Sequence, residues 1–318
     1  MSSVWVLADD RMGNVNQLLG IAEALNMPFL RKDIRYTRWV RLPNLVRGAS
    51  LVGITRETGD KLMAPWPDVV LSAGRRSFPV ARWIKKQSGG KTKIVQLMNP
   101  GRAGFKQADL IVLPVHDNYK GYSKNVMHVS GAPHRITSRR LQDERQVWSD
   151  TLGRFLSPRL SLIVGGATKD KPFTEKMALQ LVNGVMALQP VSILVTTSRR
   201  TPPEVITILK EKLPKECFFY EFGNPAPNPY FGLLSYADMV VVTGDSISMC
   251  SECCASGVPV FIFAPDGMVS EKHKRFHQEL YAKGYARPLG TLSTVPNTGK
   301  IFNPAVEIAQ KINAMLQK

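Results

Sequence analysis

The chain has 318 residues, 44% of them hydrophobic, and a formal net charge of +17, which favours a well-packed globular protein of two α/β domains. No apolar run approaches the ~20 residues that span a bilayer, the apolar run at the N-terminus is too short for a secretory signal, and four cysteines give no disulfide framework. These features exclude a membrane-spanning or disulfide-stabilised secreted protein and predict a cytoplasmic one.

The positive charge is concentrated in the first half of the chain. Residues 1–157 carry 25 Lys and Arg against 12 Asp and Glu, whereas the remaining residues carry 17 against 13. Such a surplus biases the partners of a protein towards an anionic membrane face, a phosphorylated lipid or nucleic acid, and a solvated basic surface is the alternative. We expect an anionic membrane surface as a partner, and no nucleic acid.

The first predicted elements are a buried strand and a helix joined by a polar turn. The strand is VWVLA at residues 4–8, and apolar residues at helical spacing begin at Leu18. Residues in and just after the turn could face a ligand: Asp10, Arg11, Gly13, Asn14 and Gln17. Turns of this kind also cap helices in proteins that bind no ligand. The Asn14 side chain can orient a ligand by hydrogen bonds but cannot act as a general base.

Residues 31–47 combine six Lys and Arg with two aromatic residues. Helical spacing would place arginines on one face and apolar residues on another: Arg31, Arg35 and Arg38 against Trp39, Leu42 and Val46. A basic stretch flanked by aromatic residues can lie on an anionic membrane. It can equally pack against a domain while its arginines face solvent.

Further strands of the first half end in polar residues. A buried strand over residues 68–74 precedes a helix that we expect to begin near Pro79. Gly74, Arg75 and Arg76 therefore follow the carboxyl end of a strand, where open α/β sheets bind ligands. Strands are also predicted within residues 93–100 and 109–117, and the second ends in His116 and Asp117. This pair could be a general base and its orienting partner, or a surface His beside a turn-forming Asp.

A helix within residues 145–160 ends at a Ser-Pro break, which we interpret as a hinge between two domains. The predicted first domain covers residues 1–152, and the second covers residues 158–302. A final helix over residues 303–318 could cross back to the first domain.

Two strands of the second domain precede residues that suit phosphate binding. The strand within residues 160–168 ends in Gly165 and Gly166, which let a backbone approach a phosphate or a facing domain. The strand that begins near residue 191 is followed by Ser198, Arg199, Arg200 and Thr201. Guanidinium groups match the oxygens of a diphosphate, and a solvated pair of arginines is the alternative.

The most informative stretch is residues 237–265, whose pattern predicts a strand, a tight turn, a helix and a second strand. A strand that leads into a helix N-terminus leaves N–H groups unpaired beside a partial positive charge, which suits a phosphate. The residues of this turn are Asp245, Ser246, Ser248 and Met249. Glu252, one turn into a helix expected over about 248–256, could reach the hydroxyls of a ribose.

The same pattern is also typical of an ordinary βαβ unit without a ligand. Three cysteines lie on the predicted helix, at positions 250, 253 and 254. Since no second Cys/His pair stands at zinc spacing, we expect them to be small packing residues and not metal ligands.

The stretch resembles the donor-binding signature of GT-B glycosyltransferases, particularly the lipid-linked N-acetylglucosaminyltransferase of peptidoglycan synthesis. Glu252, Gly257 and Pro259 have the spacing of that family's Glu and Gly-x-Pro, although Asn14 stands where the family has His. More closely, the whole chain resembles the "elongated mitochondria" fission family, whose bacterial members are described as candidate glycosyltransferases. The motifs that carry this resemblance are Asp9-x-Arg11-x-Gly13-Asn14-x-x-Gln17 and the string Ser198–Pro202.

The resemblance implies a GT-B fold, in which two Rossmann-like domains face each other across a cleft. It also implies transfer of a sugar from a nucleoside-diphosphate donor to a lipid-linked or anionic glycan acceptor, as in cell-envelope or lipopolysaccharide biosynthesis. The protein would act at the inner face of the cytoplasmic membrane as a peripheral protein. No metal and no cofactor are expected, because helix N-termini and arginines can stabilise the departing diphosphate.

In this interpretation the donor lies on the second domain. The diphosphate would be held by Gly165, Gly166, the arginines at 199 and 200 and the turn at 245–249. Glu252 would bind the ribose, and the region of Tyr230 would bind the nucleobase. The acceptor would approach from the first domain, so the proton acceptor is expected at Asp10 or at His116 and Asp117.

Two other functions fit the same resemblance. One is a membrane adaptor that has kept the fold but lost catalysis, as plant members of the fission family suggest. The other is a nucleoside-diphosphate-sugar epimerase, which shares the two-domain fold. Loss of the base with retention of the donor site favours the adaptor, whereas a product formed from the donor alone favours the epimerase.

Overall fold

The computed structural model describes residues 3–101, 104–121, 123–168, 170–291 and 302–317. The chain divides into two compact units. Unit 1 comprises Met1–Arg135 together with Asn303–Lys318, and unit 2 comprises Ile136–Phe302. Within the described residues each unit contains a six-stranded sheet in which all neighbouring strands are parallel.

The sheet of unit 1 is built from short, largely apolar strands. They are β1 (Val4–Ala8), β2 (Phe29–Asp33), β3 (Val69–Ala73), β4 (Lys93–Leu97), β5 (Leu110–Pro114) and β6 (Val126–Val129). Their order in the sheet is β2-β1-β3-β4-β5-β6. The helices of this unit are α1 (Met12–Ala24), α2 (Asn44–Arg47), α3 (Arg56–Asp60), α4 (Gly74–Gln87) and, from the end of the chain, α12 (Pro304–Leu316). Both β1 and β3 are buried along their whole length, as continuous apolar runs require.

Unit 2 repeats this plan with a second sheet. Its strands are β7 (Arg159–Ile163), β8 (Ser192–Thr196), β9 (Phe218–Tyr220), β10 (Met239–Thr243), β11 (Val260–Phe263) and β12 (Arg287–Pro288). Their order is β12-β11-β10-β7-β8-β9. The helices are α5 (Ser138–Val147), α6 (Ser149–Leu152), α7 (Glu175–Ala187), α8 (Pro203–Lys212), α9 (Tyr230–Tyr236), α10 (Ile247–Cys254) and α11 (Glu271–Ala282). No helix in the described ranges is long and apolar enough to cross a bilayer.

The last helix packs in unit 1, against α1. Ile308 and Ile312 of α12 are fully buried in the same apolar cluster as Leu18 and Ile21 of α1. Burial of one such side chain contributes roughly 1.5–3 kcal/mol. The last helix therefore belongs to the core of the unit that begins the chain.

The predicted end of the first domain at residue 152 is too late in the chain. The structure divides after Arg135, and α5 and α6 both belong to unit 2. The Tyr236 hydroxyl donates a hydrogen bond of 3.0 Å to the carbonyl of Arg145, and Leu152 is buried in the core of unit 2. The helix that resembled a connection is thus a packed part of the second unit.

Two predicted helices differ in the structure. Residues 31–47 do not form one amphipathic helix: they contain the end of β2, a 3-10 turn over Arg38–Arg41 and the short α2, and Pro43 interrupts helical geometry between the last two. Helix α4 begins at Gly74 and not near Pro79. Gly74 has a φ of +67°, which only glycine adopts readily, and this lets β3 lead directly into the helix.

The three clustered cysteines lie in the apolar core of unit 2. Cys250, Cys253 and Cys254 are all buried, and burial raises the pKa of each thiol. Their thiols are therefore neutral at physiological pH and pack as small apolar groups.

An ion pair at the start of the second sheet gives a test of stability. Burial opposes ionisation of Asp238, but hydrogen bonds from Arg159 and Ser157 outweigh it and lower the pKa of Asp238 to about 2. Asp238→Asn should therefore lower the free energy of unfolding at pH 7 by about 1–2 kcal/mol, since the carboxylate is partly exposed. The stabilisation is complete above the pKa of Asp238 in the unfolded chain, which is near 4, and it is lost as the pH falls through 2. Urea unfolding at neutral and acidic pH would measure this, and an equal difference at both would contradict it.

Candidate functional site

Three neighbouring strands of unit 2 end around one buried carboxylate. Asp245 follows β10, and its side chain is 0% exposed. It accepts hydrogen bonds from the backbone N–H of Gly166 at 3.0 Å and from the hydroxyl of Thr243 at 2.7 Å. It also forms an ion pair of 2.7 Å with the guanidinium of Arg200. Asp245 therefore fixes the loops that follow β7, β8 and β10 relative to one another.

The glycines after β7 have a packing role that the sequence did not indicate. A Cβ atom on Gly165 would overlap the carboxylate of Asp245, and one on Gly166 would overlap the backbone carbonyl of Arg200. The backbone N–H of Gly165 donates to the Thr243 hydroxyl at 2.7 Å. Gly165 and Gly166 thus make room for neighbouring loops, and their amides are engaged within unit 2.

The loop after β8 is held by its own hydroxyl groups. The Thr201 hydroxyl donates to the carbonyl of Gly165 at 2.5 Å and accepts from the backbone N–H of Ser198 at 2.9 Å. The Ser198 hydroxyl accepts from the backbone N–H of Arg200 at 3.2 Å. Ser198 and Thr201 therefore act as loop-positioning residues. The side chain of Arg199 is exposed, and that of Arg200 keeps 38% of its surface exposed beside Asp245.

Helix α10 begins directly after this cluster. The Ser246 hydroxyl accepts a hydrogen bond from the backbone N–H of Met249 at 3.4 Å and so caps the helix. The other N–H groups of the first turn, including that of Ser248, have no acceptor within the helix. With the helix dipole they favour an anion at this position.

Glu252 and Tyr230 come together although they are 22 residues apart in the sequence. The Tyr230 hydroxyl donates a hydrogen bond of 2.6 Å to Oε2 of Glu252. Burial raises the pKa of Glu252 to about 7, against the lowering effects of this hydrogen bond and of the Arg140 charge. The carboxylate is therefore ionised only in part at neutral pH. Tyr230 orients this carboxylate, which belongs to the sixth residue of the eight-residue α10.

Two histidines of α11 face the turn between β10 and α10, and the sequence analysis did not identify either of them. His277 is buried, its Nε2 lies 3.0 Å from the carbonyl of Gly244, and burial lowers its pKa to about 4. His273 forms a hydrogen bond of 2.7 Å through Nδ1 with the Ser270 hydroxyl. Burial lowers the pKa of His273, and the nearby Asp245 raises it less. Their spacing of four residues on an amphipathic helix was the signal that could have identified them.

His277 also lines a cavity of about 540 Å³ at the carboxyl end of β11. Other walls of this cavity come from α7, α11 and the residues after β11, among them Gln180, Ala264, Pro265, Lys274 and Gln278. The cavity lies beside the turn that the sequence predicts to bind a phosphate, because His277 lines the cavity and contacts Gly244 next to that turn.

In unit 1 the polar residues after β1 gather around Arg76 of α4. The Arg76 guanidinium bonds Oδ2 of Asp9 at 3.1 Å and pairs with the carboxylate of Asp10, and it lies 4.6 Å from the ring centre of Tyr36. The hydrogen bond from Arg76 lowers the pKa of Asp10, mildly opposed by burial. Asp10, Arg11 and Arg76 were predicted to lie at one edge, and the structure brings Asp10 and Arg76 into contact.

Asp9 is the central residue of this cluster, although the sequence analysis gave the catalytic role to Asp10. Its side chain is 4% exposed and accepts from the backbone N–H of Arg11 at 3.0 Å and from the Asn14 amide at 3.2 Å. Asn14 and Gln17 are both buried on α1, whereas Gly13 has open space around its Cα. Asn14 therefore orients Asp9 and does not project freely towards a ligand.

The carboxylates after β1 border a cavity of about 530 Å³. Its walls mix acidic, basic and aromatic groups: Asp9, Asp10, Arg31, Asp33, Arg35 and Tyr36. Asp10 is the more accessible of the two carboxylates, with 66% of its side chain exposed. Hydroxyl groups of a sugar could be bound by this combination of carboxylates and guanidinium groups.

The turn at Gly74 is fixed by buried polar groups beneath it. The Ser72 hydroxyl bonds Oε1 of Gln96 at 2.5 Å, and the Gln96 amide donates to the carbonyl of Gly74 at 3.0 Å. Arg75, the next residue, is exposed. The predicted acceptor-side residues Gly74, Arg75 and Arg76 thus lie on a rigid strand-to-helix turn.

The two residues of the predicted pair after β5 differ in their exposure to solvent. His116 is 3% exposed, whereas Asp117 is exposed, and both lie in a 3-10 turn over Val115–Asp117. A base must reach the hydroxyl that it deprotonates, and burial withholds His116 from an incoming acceptor. Asp10 has better access than His116.

The sequence matches the model of the family described as "Mitochondrial fission ELM1" over residues 12–316. The chain belongs to this family. The resemblance to a fission family is thereby confirmed. Both motifs that carried it lie at the carboxyl edge of a sheet: one surrounds Asp9 in unit 1, and the other forms the loop after β8 in unit 2.

Other comparisons extend over almost the whole chain of this ELM1-family protein. It is 29% identical to the uncharacterized protein RP120 of Rickettsia prowazekii, with 99% of both chains covered. Its fold is similar to that of the UDP-GlcNAc 2-epimerase from Methanocaldococcus jannaschii, with a TM-score of 0.55, 14% identity, and 99% and 100% of the two chains covered. It is also similar to MurG of Acinetobacter baumannii, with a TM-score of 0.50, 13% identity, and 100% and 99% covered. The predicted GT-B fold of two Rossmann-like domains is confirmed.

Proposed function

We propose that this protein transfers a sugar from a nucleoside-diphosphate donor to a lipid-linked or anionic acceptor at the inner face of the cytoplasmic membrane. The observation that carries the proposal is the hydrogen-bonded pair of Tyr230 and Glu252, because Glu252 lies on α10, the helix that begins directly after the loops fixed by Asp245. A half-buried carboxylate on a helix whose N-terminus favours an anion matches the ribose and diphosphate of one ligand. The similar fold of a UDP-GlcNAc 2-epimerase supports a nucleotide sugar as that ligand.

The chemistry needs stabilisation of the diphosphate that leaves. Arg199 and Arg200 offer guanidinium groups at the loop after β8, and α10 offers the partial positive charge of its first turn. These groups can supply the stabilisation without a metal or cofactor. On unit 1, Asp10 is the carboxylate that can accept the proton of an acceptor hydroxyl, and the cavity beside it can hold the acceptor.

Two observations favour other functions. The similarity in fold to UDP-GlcNAc 2-epimerases supports an epimerase, which would convert UDP-GlcNAc without any acceptor. Membership of a family described by mitochondrial fission supports a non-catalytic adaptor at a membrane. Incubation with UDP-GlcNAc, with and without a membrane extract, distinguishes the three functions. A transferase forms product only with the extract, and an epimerase forms product without it. An adaptor binds without forming product.

Glu252→Ala should weaken binding of UDP-GlcNAc by about 1.5–3 kcal/mol, the usual contribution of a hydrogen bond to a charged group. Because the pKa of Glu252 is raised to about 7, the ionised form that binds two hydroxyls best becomes the major form only above that pH. Affinity of the wild type should therefore increase roughly tenfold between pH 6 and pH 8. Titration calorimetry would measure both effects, and the diphosphate of a nucleotide sugar does not itself titrate in this range.

The matched control is Glu252→Gln, which keeps the shape of the side chain but cannot ionise. Its affinity should not depend on pH in this range. Folding stability gives a second readout, because the pKa of Glu252 is higher in the folded protein than in the unfolded chain. Glu252 therefore contributes most to the free energy of unfolding below about pH 4.5, and this contribution is lost as the pH rises through 7. The loss should be missing in Glu252→Gln. Unchanged nucleotide affinity in both variants would contradict the ribose role.

A further inference from the structure

We propose that residues 37–53 of unit 1, called the docking loop below, attach the protein to an anionic lipid bilayer. The role that we give to this attachment rests on the proposed function, in which the protein meets a lipid-linked acceptor at a membrane. The attachment itself requires neither a donor nor catalysis, so the two proposals can fail separately.

The docking loop is closed at its base and has a defined shape. Tyr36 and Ile54 form an isolated antiparallel bridge, and the backbone N–H of Thr37 donates to the carbonyl of Gly53 at 3.0 Å. Gly53 has a φ of +93°, and a Cβ atom there would lie 2.8 Å from the backbone nitrogen of Val40. Compact surface loops with paired ends often carry function.

The inner side of the loop is held by polar groups. Arg47 is 2% exposed and donates to the carbonyl of Val52 at 2.9 Å and to that of Arg76 at 3.1 Å. The Asn44 amide donates to the carbonyl of Arg75 at 2.9 Å. Polar residues thus face the protein and fix the loop on the first turn of α4.

The outer side of the loop is apolar. Leu45 is 81% exposed, Val46 69%, Trp39 52% and Val52 47%. Single exposed apolar residues are ordinary on a protein surface, but four on one closed loop indicate a surface that is covered in function. The loop thus exposes apolar side chains while a buried arginine and an amide hold its inner side.

Charge identifies the bilayer as the occupant. The docking loop contains three arginines and no Asp or Glu, and of the three arginines Arg47 is the buried one. Arg38 and Arg41 are exposed, and the Arg38 guanidinium lies 5.1 Å from the ring centre of Trp39. An indole and aliphatic side chains among arginines match the boundary between anionic headgroups and acyl chains.

The position of the loop relates it to the candidate acceptor site. Its inner hydrogen bonds end on the carbonyls of Arg75 and Arg76. The side chain of Arg76 binds Asp9 and Asp10 at the edge of the cavity in unit 1. A bilayer on the docking loop would therefore lie next to the carboxylates that we assign to the acceptor.

Co-sedimentation with phosphatidylcholine vesicles, with and without phosphatidylglycerol, tests the proposal. The wild type should bind only the anionic vesicles, and less as salt increases. Leu45→Ser/Val46→Ser should lower the partition coefficient roughly tenfold or more. Arg38→Glu/Arg41→Glu should lower it by about 25-fold or more.

Matched controls come from unit 2. Leu156→Ser/Val191→Ser changes two residues that are 70% and 60% exposed, and Arg139→Glu/Arg154→Glu makes the same change in net charge at exposed positions. Both controls should bind like the wild type. Equal binding to neutral and anionic vesicles, no binding to either, or an equal loss in loop and control variants would overturn the proposal. The urea midpoint of the same samples reports folding, and their UDP-GlcNAc affinity tests the proposed function separately.

Discussion

Replacing Asp10 with asparagine is expected to lower the rate of sugar transfer by about 10²–10⁴-fold while the affinity for the donor stays nearly unchanged. The side chain of Asp10 is 66% exposed beside the cavity of unit 1, so an acceptor hydroxyl can reach it. Arg76 lowers the pKa of Asp10, so the carboxylate is ionised at neutral pH. A carboxylate of low pKa is a weak base, which places the expected effect towards the smaller end of the range.

Turnover measured with UDP-GlcNAc and a membrane extract would show this effect, and calorimetry would follow the donor. Asp60→Asn is the matched control, because Asp60 is an exposed carboxylate on α3 of the same unit and lies outside the lining of this cavity. It should retain the wild-type rate. His116→Ala and Asp117→Asn test the other predicted base. If all three variants, Asp10→Asn included, keep wild-type turnover, the base is not among these residues.

Asp245→Ala is expected to lower the free energy of unfolding of unit 2 by about 3–5 kcal/mol. The substitution removes the acceptor of the Gly166 N–H and of the Thr243 hydroxyl and leaves Arg200 without its ion pair. The first two groups are buried and cannot turn to water, whereas Arg200 is partly exposed, which places the loss near the lower end. Donor affinity should decrease as well, because the three loops that Asp245 fixes form the proposed diphosphate site.

Urea unfolding gives the stability, and Asp245→Asn separates charge from hydrogen bonding. The Gly166 N–H and the Thr243 hydroxyl donate to different oxygens of Asp245, and in the amide one of these becomes an NH2 group. The amide oxygen can still accept from Gly166 while the NH2 group donates to the Thr243 hydroxyl, so this variant should lose only about 1–2 kcal/mol. Asp238→Asn is the control for donor affinity, because Asp238 pairs with Arg159 at the start of the sheet, away from the loops after the strands. A wild-type urea midpoint for Asp245→Ala would contradict the central role of this residue.

The strands could be predicted from the sequence because a parallel sheet buries both faces of each strand. The run Met239–Val242 and the runs at residues 4–8 and 69–73 are continuous and rich in β-branched residues, and each became a strand. Residues 31–47 misled the prediction because pairing with β1 placed part of them in β2, which outweighs local helical spacing.

The polar contacts of the site could not be predicted in the same way. Glu252 was identified from its place on a helix, but its partner Tyr230 depends on how α9 packs in unit 2. The sequence contains Asp245, Gly166 and Arg200 in three separate loops, and only the order of β7, β8 and β10 in the sheet brings them together. Similarly, Asp9 and Asp10 are adjacent and chemically equal, and it is folding that buries the first and exposes the second.

The place of α12 sets an order of events during synthesis. Residues 136–302 form unit 2 and are inserted between the two parts of unit 1. A ribosome therefore completes unit 2 before it releases Pro304–Leu316, whose Ile308 and Ile312 cover Leu18 and Ile21. Domains commonly fold in the order of their synthesis, N-terminal first. Here Leu18 and Ile21 remain uncovered until the whole of unit 2 has been made, so unit 1 is the second of the two units to complete its core.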